Sequence, residues 1–141
     1  MSDWTTRALD LGISPHEVII LASILEKEGK NSEEKKLISS VFHNRKRIGM
    51  ALESEAVLRY GLKKFKGELT KKDKADNSRY NTFKAAGFPP TPISNPSNRS
   101  LKAALYPTDT AHLYYFRKPD GKLHFADEAK EYKKALKKFS K

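Results

Sequence analysis

Two glutamates, Glu26 and Glu28, sit just past an apolar run from Val18 to Leu25. A carboxylate at the end of a buried apolar helix is suited to proton transfer. Burial disfavours its charged form, and the negative end of the helix dipole acts in the same direction. Such a group keeps its proton towards neutral pH and can lend it to a glycosidic oxygen. The plain alternative is a pair of solvated helix-end charges balanced by Lys27 or Lys30. On a helical wheel the two glutamates are about 200° apart. Glu28 follows Ile24 and Leu25, and Glu26 follows Ile19 and Ala22, so both faces are apolar and the wheel does not choose between them.

Two further groups could serve such chemistry. Glu53-Ser54-Glu55 offers two acids around a good helix N-cap. A two-carboxylate glycosidase would need one of them close to Glu26 or Glu28, whereas simple capping needs neither. Arg79-Tyr80-Asn81-Thr82 precedes a proline-rich stretch, Gly87 to Pro96. Aromatic and amide side chains on rigid backbone suit sugar rings and N-acetyl groups, and a long loop without regular structure is often functional. An ordinary structural loop is the alternative.

Other chemistries lack their residues. The chain has no cysteine, which excludes disulfides, thiolate metal sites and cysteine nucleophiles. Its four histidines, His16, His43, His112 and His124, are dispersed and show no metal-ligand spacing, so no metal and no cofactor are expected. There is no glycine-rich phosphate loop and no G-x-S-x-G elbow. The net charge is +11, from 28 Lys and Arg against 17 Asp and Glu. Such a surface attracts polyanions, including nucleic acid, anionic lipid and acidic cell-wall polymer, or simply keeps the protein in solution. No nucleic-acid motif accompanies it, and nucleic acid is not expected as a partner. No apolar run approaches the roughly 18 residues of a membrane span.

The elements that must carry these groups can be read from periodicity. At 141 residues, with 38% hydrophobic and 32% charged residues, the chain is one folded domain. A short helical pattern runs to Leu11 and stops at Gly12. Ser14-Pro15-His16-Glu17 is a capping box with Pro15 at the first helical position. The helix it opens is apolar nearly all round, so it should be the central buried helix, ending at Gly29. A second helix spans Ser32 to Ile48, with Leu37, Ile38, Val41 and Phe42 inward and Gly49 as its stop. A third starts after Ser54 and ends at Gly61. Lysine-rich 63–74 reads as a solvated loop or short helix, and Thr82 to Ala86 as one helical turn. The proline segment should be extended. A short helix covers Asn98 to Leu105, and a β-hairpin pairs Leu113–Arg117 with Lys122–Ala126 around Pro119-Asp120-Gly121. Ala129, Tyr132, Leu136 and Phe139 mark a last helix. The fold class is α+β, mainly helical.

Several of these segments together resemble the endolytic murein transglycosylase (YceG-like) family. Leu21-Ala22-Ser23-Ile24-Leu25-Glu26-Lys27-Glu28 is similar to its LASIVEKE signature. Val41-Phe42-His43-Asn44-Arg45 with Ile48-Gly49-Met50, the block Leu52 to Gly61, and Tyr80-Asn81-Thr82-Phe83 with Gly87-Phe88-Pro89-Pro90, Pro92-Ile93 and Asn95-Pro96 follow in the family's order. Ser100 to Ala104, Leu113-Tyr114-Tyr115-Phe116, Gly121 and His124-Phe125 complete it. The resemblance covers roughly residues 15 to 136.

It implies a lysozyme-like catalytic domain over residues 1–141, without the family's N-terminal membrane helix and LysM-like region. It also implies a lyase that cuts the bond between N-acetylmuramic acid and N-acetylglucosamine without water. One glutamate protonates the leaving oxygen, then takes the proton of the muramoyl 6-hydroxyl as that group closes a 1,6-anhydro ring. Gly29 after Glu28 resembles the Glu-Ser pair of other lytic transglycosylases, so the resemblance assigns catalysis to Glu28, with Glu26 as runner-up or support. It assigns the cleft lining to Glu26, Glu53, Ser54, Tyr80, Asn81, Thr82 and Asn95. The implied partners are peptidoglycan strands and cell-wall synthesis machinery. The protein is expected to be a monomer acting outside the cytoplasm, membrane-anchored in a full-length parent. Departures from the pattern are Glu53 for Gln, Glu55-Ala56 for Asp-Pro, Val57 for Thr, Lys46 for Leu, Ser97 for Gly and Tyr132 for His. A hydrolytic muramidase and a non-catalytic wall- or polyanion-binding module are the competing expectations.

Overall fold

The structure is a computed structural model and describes residues 3–139. Seven helices and one hairpin follow one another as α1 (Asp3–Asp10), α2 (Pro15–Glu28), α3 (Ser32–Arg47), α4 (Glu55–Leu62), α5 (Lys71–Lys74), α6 (Asn98–Leu105), β1 (Tyr114–Arg117), β2 (Leu123–Ala126) and α7 (Ala129–Phe139). The class is α+β, as the sequence suggests.

α2 is the axis of the molecule. Ser14 caps it, accepting from the Glu17 N–H while the Glu17 carboxylate accepts from the Ser14 N–H. Val18, Leu21, Ala22, Ile24 and Leu25 lie fully inside, in contact with α3, α4 and α6. Burying each of the larger side chains stabilises the fold by about 1.5–3 kcal/mol. α3 adds Ile38, Val41 and Phe42, all fully buried.

The proline segment 87–96, expected to be extended, instead follows an irregular path with several bends, because Gly87 (φ 90°) and four prolines break it, and it is docked onto α2 through Ser23. The Ser23 hydroxyl donates to the Ile20 carbonyl (2.6 Å) and accepts from the Ile93 N–H (3.0 Å), and the Ser94 hydroxyl donates to the Ser23 carbonyl (2.9 Å). A serine inside the apolar run is therefore the clamp that satisfies backbone groups of a segment with no helix or sheet of its own.

Two glycines act differently from the expectation. Gly29 does end α2, but in extended backbone (φ −107°) rather than left-handed. A Cβ there would lie 2.6 Å from the Lys35 side chain and 3.0 Å from its backbone N, so the glycine permits the close approach of α3. Gly61 does not end α4, which runs one residue further and closes with Lys63 in the left-handed region (φ 56°). A Cβ at Gly61 would meet Tyr80 Cβ at 2.4 Å, and the position is reserved for that ring. The lysine-rich segment forms only the single turn α5, capped by Thr70 and Asp73. The turn expected at 82–86 is closed by the Lys84 and Ala85 N–H groups donating to the Asn81 carbonyl, both at 3.1 Å.

β1 and β2 pair antiparallel, Tyr114 opposite Ala126 and Arg117 opposite Leu123. Alternation turns Tyr115 and Arg117 towards the C-terminal end of α2, while Tyr114 and Phe116 pack on Tyr132 of α7. No single helix among the described residues is long and apolar enough to cross a membrane.

Candidate active site

A concavity of about 580 Å³ opens where the end of α2 meets the start of α4, the hairpin and α7. Glu28 lines it, half-buried. The Ser54 hydroxyl donates to Glu28 Oε2 at 2.7 Å and the Tyr115 hydroxyl to Oε1 at 2.8 Å. Arg117 donates through Nη2 to the Glu28 carbonyl (3.1 Å) and is held from behind by Glu34 (2.9 and 3.0 Å). Burial raises the pKa of Glu28 above the ordinary carboxylate value, and the charge of Glu55 adds to the rise. Ser54, Tyr115 and the Ala56 N–H oppose it by bonding to the ionised form. The Tyr115 hydroxyl is pushed well above its usual value, first by burial and then by the Glu28 charge, so it remains a donor.

Ser54 has three attachments. It is the N-cap of α4, its Oγ accepting from the Val57 N–H (3.3 Å) while donating to Glu28. Its own N–H donates to Thr82 Oγ1 (2.9 Å), and the Thr82 hydroxyl donates back to the Ser54 carbonyl (3.3 Å). The positive N-terminal end of α4 thus faces the carboxylate. Glu53, one residue earlier, is exposed and lines the cavity in the left-handed region (φ 54°), uncommon for a residue with a Cβ.

Five cationic side chains, Lys27, Arg45, Arg59, Lys74 and Arg117, share the cavity wall with Glu28, Glu53 and Glu55. Arg45 is 6% exposed and acts as a staple: Nε donates to the Leu113 carbonyl (2.7 Å), and Nη1 to the Ala51 (3.1 Å) and Leu52 (2.9 Å) carbonyls. It fixes the segment 51–52 and the hairpin to α3. Tyr132 stacks on Tyr114 with ring centroids 4.9 Å apart and completes the rim from α7.

The structure does not bring all the expected cleft residues here. Glu26 points away from the cavity. Its Oε1 accepts from the Ser97 N–H (2.8 Å) and the Ser100 hydroxyl (2.7 Å), with Lys35 Nζ at 3.6 Å. Those contacts, the Ser97 N–H foremost, bring its pKa down to about 2. A carboxylate so committed anchors the start of α6 and is a poor proton donor. Asn81 and Thr82 are buried behind the wall, at 1% and 2% exposure. Asn81 Nδ2 donates to the Lys74 (3.0 Å) and Asp76 (2.8 Å) carbonyls, which shapes the loop holding Lys74 and Phe83. Thr82 is occupied by Ser54. Tyr80 lines a separate hollow, its hydroxyl 2.7 Å from Thr91 Oγ1, and exposed Asn95 is not part of the cavity lining. Among the described residues no group of three or more His, Asp or Glu side chains is placed to hold a metal ion.

The residues the sequence reading missed are Tyr115, Arg117, Arg45 and Tyr132. For Tyr115 and Arg117 a signal was present: they alternate on one face of a strand, so placing either beside Glu28 places both. For Arg45 the signal was a charge amid a buried helical stripe.

The sequence profile of the YceG-like family matches residues 2–138. The chain belongs to the YceG-like family. A protein named endolytic murein transglycosylase from Bacillus subtilis (strain 168) is 35% identical over 127 residues, which are 90% of this chain and 35% of that protein. One of the same name from Streptococcus pneumoniae serotype 2 (strain D39 / NCTC 7466) is 28% identical over 143 residues, 89% of this chain and 26% of that protein. The chain therefore spans about a third or less of the length of these YceG-like relatives. The crystal structure of a YceG-like protein from Listeria monocytogenes superposes with a TM-score of 0.83 at 34% identity, covering 94% of this chain and 43% of that one.

Proposed function

We propose that this chain is a peptidoglycan-cleaving domain that cuts the β-1,4 bond between N-acetylmuramic acid and N-acetylglucosamine as a lytic transglycosylase. Glu28 acts first as acid and then as base. The observation that carries the reading is the Glu28 carboxyl itself: at a cavity edge, half-buried, shifted towards the protonated form, with a hydroxyl donor on each oxygen. The name shared by the Bacillus and Streptococcus relatives supports the same substrate. A substrate of that kind places the protein's work outside the cytoplasm.

In the first step the Glu28 proton passes to the glycosidic oxygen as the bond to the anomeric carbon breaks. The carboxylate left behind keeps the Ser54 and Tyr115 hydroxyls as donors, which stabilise it at that moment. In the second step it takes the proton of the muramoyl 6-hydroxyl, whose oxygen bonds the anomeric carbon. Glu28 ends as it began, so one carboxyl suffices.

A second reading rests on Glu53. It places another carboxylate in the same cavity, where it could activate a water and make the outcome hydrolytic. Digestion of purified sacculi followed by mass spectrometry separates the two: 1,6-anhydro ends are expected for the first, reducing ends for the second. Glu28→Gln should lower cleavage by about 10²–10⁴-fold. Full activity in that variant would remove Glu28 from the mechanism.

A further inference from the structure

A second hollow of about 320 Å³ lies at the C-terminal end of α4 and is mostly apolar in its lining: Tyr60, Gly61, Lys63, Phe65 and Tyr80. Three aromatic rings converge there. Tyr60 and Tyr80 have centroids 5.3 Å apart, and Phe65 beside them is 66% exposed. The hollow depends on Gly61, because any side chain there would meet the Tyr80 ring.

This hollow is tied to the catalytic cavity by shared parts. α4 contributes Glu55, Ala56 and Arg59 to the cavity and Tyr60 and Gly61 to the hollow. Arg59 lines the cavity while its guanidinium grips the loop that presents Phe65, donating to the Lys64 carbonyl (3.2 Å) and the Gly67 carbonyl (2.8 Å). Lys64 Nζ, 2.6 Å from Asp73, fastens the same loop to α5, whose Lys74 also lines the cavity. Phe65 is therefore held out to solvent by its loop's own bonds. The phenolic contact of Tyr80 with Thr91 likewise fixes its ring.

Resting on the proposed glycan cleavage, we propose that the Tyr60–Phe65–Tyr80 hollow is a remote subsite for the same polymer, a stacking platform for a sugar ring several residues from the bond that is cut. Rigid aromatic faces with one ammonium at the edge, Lys63, match a saccharide with an apolar ring face and polar rim. A substrate that is a long strand must leave the cavity along some wall, and α4 with its attached loop is a wall that joins the cavity to a further cluster of aromatic faces. An endolytic cutter gains from such a grip because it favours chains extending past the cleavage point.

The test uses glycan strands released from purified sacculi and fractionated by length, with binding measured in the Glu28→Gln background so that no strand is consumed. Phe65→Ala should weaken binding of long strands roughly 3–10-fold and leave the shortest fragments unchanged, with Phe65→Trp restoring the loss. Tyr60→Ala should do the same. Circular dichroism and thermal melting of Phe65→Ala should match the parent, since an exposed ring contributes little to the core. Equal affinity of Phe65→Ala and parent at every length overturns the subsite, even if wild-type protein cleaves normally. Loss of sedimentation with anionic-lipid vesicles, with glycan binding intact, also overturns it and assigns the patch to a membrane surface. A length-dependent loss on Phe65→Ala, together with a wild-type protein that does not cleave sacculi, would sustain the subsite and sink the proposed activity.

Discussion

Replacing Glu26 by Gln separates a structural carboxylate from the proposed proton donor two residues away. Glu26 falls from an ordinary 4.5 to about 2, led by the Ser97 N–H and the Ser100 hydroxyl. At about 1.4 kcal/mol for each tenfold change in proton affinity, the full displacement corresponds to about 3 kcal/mol. Its side chain remains 30% exposed. Screening at such a site reduces that figure to about 1.5 kcal/mol. Gln retains an oxygen to accept both bonds, so the loss is that of the charge. Lys35, 7% exposed, is left without its counter-charge, which adds to the cost. In a chain of this size about 1.5 kcal/mol lowers the melting temperature by about 5 °C. The sign follows from the direction of the shift. A depressed carboxylate stabilises the fold fully above 4.5 and loses that contribution as pH falls through about 2. Melting curves of parent and Glu26→Gln from pH 7 to pH 3 should therefore differ most at neutrality and converge on acidification, while cleavage per folded molecule is unchanged. A gap that is absent at pH 7, or constant with pH, would refute the role given to this carboxylate.

Other outcomes follow from the same geometry. Glu28 is shifted upward, so its charged form costs stability, and that cost appears as pH rises through its folded value. Glu28→Gln should accordingly melt higher than the parent at pH 7, with the advantage gone below about pH 4.5, even as cleavage is lost; thermal scans across pH check this. Tyr115→Phe removes the donor 2.8 Å from Glu28 Oε1, so the ionised form loses support. The limb of the pH–rate profile that reports Glu28 should move to higher pH, with the melting temperature little altered. Gly61→Ala drives a methyl into Tyr80 Cβ at 2.4 Å and should cost about 1–3 kcal/mol in urea unfolding.

Much of the fold could be read from the chain because local signals agreed. The capping box at Ser14 and Glu17, the apolar Val18–Leu25 run and the Pro119-Asp120-Gly121 turn each fix one element with short-range chemistry. Gly29 ends α2 as read, whereas Gly61 does not end α4, and both are glycine for a long-range reason. Gly29 and Gly61 are small because Lys35 and Tyr80 press against them, and nothing near them in the chain says so. The site divided along the same line. Helical periodicity left Glu26 and Glu28 equivalent, since each follows apolar residues. What tells them apart is which distant groups arrive: Ser97 and Ser100 for one, Ser54 and Tyr115 for the other. Asn81 and Thr82 were assigned to the cleft by their place in the family's motifs, and an amide beside aromatic side chains suits sugars. They suit backbone equally well, and their burial shows that use.

The bond from Ser54 to Glu28 binds two timescales together. One hydroxyl both begins a helix and tempers an acid. Whenever the first turn of α4 frays, Glu28 loses a donor and holds its proton more tightly until the turn reforms. The strength of the acid is thus an average over the opening and closing of a remote segment. Heat, denaturant or a neighbour tugging on that segment will change reactivity before any loss of overall structure can be detected.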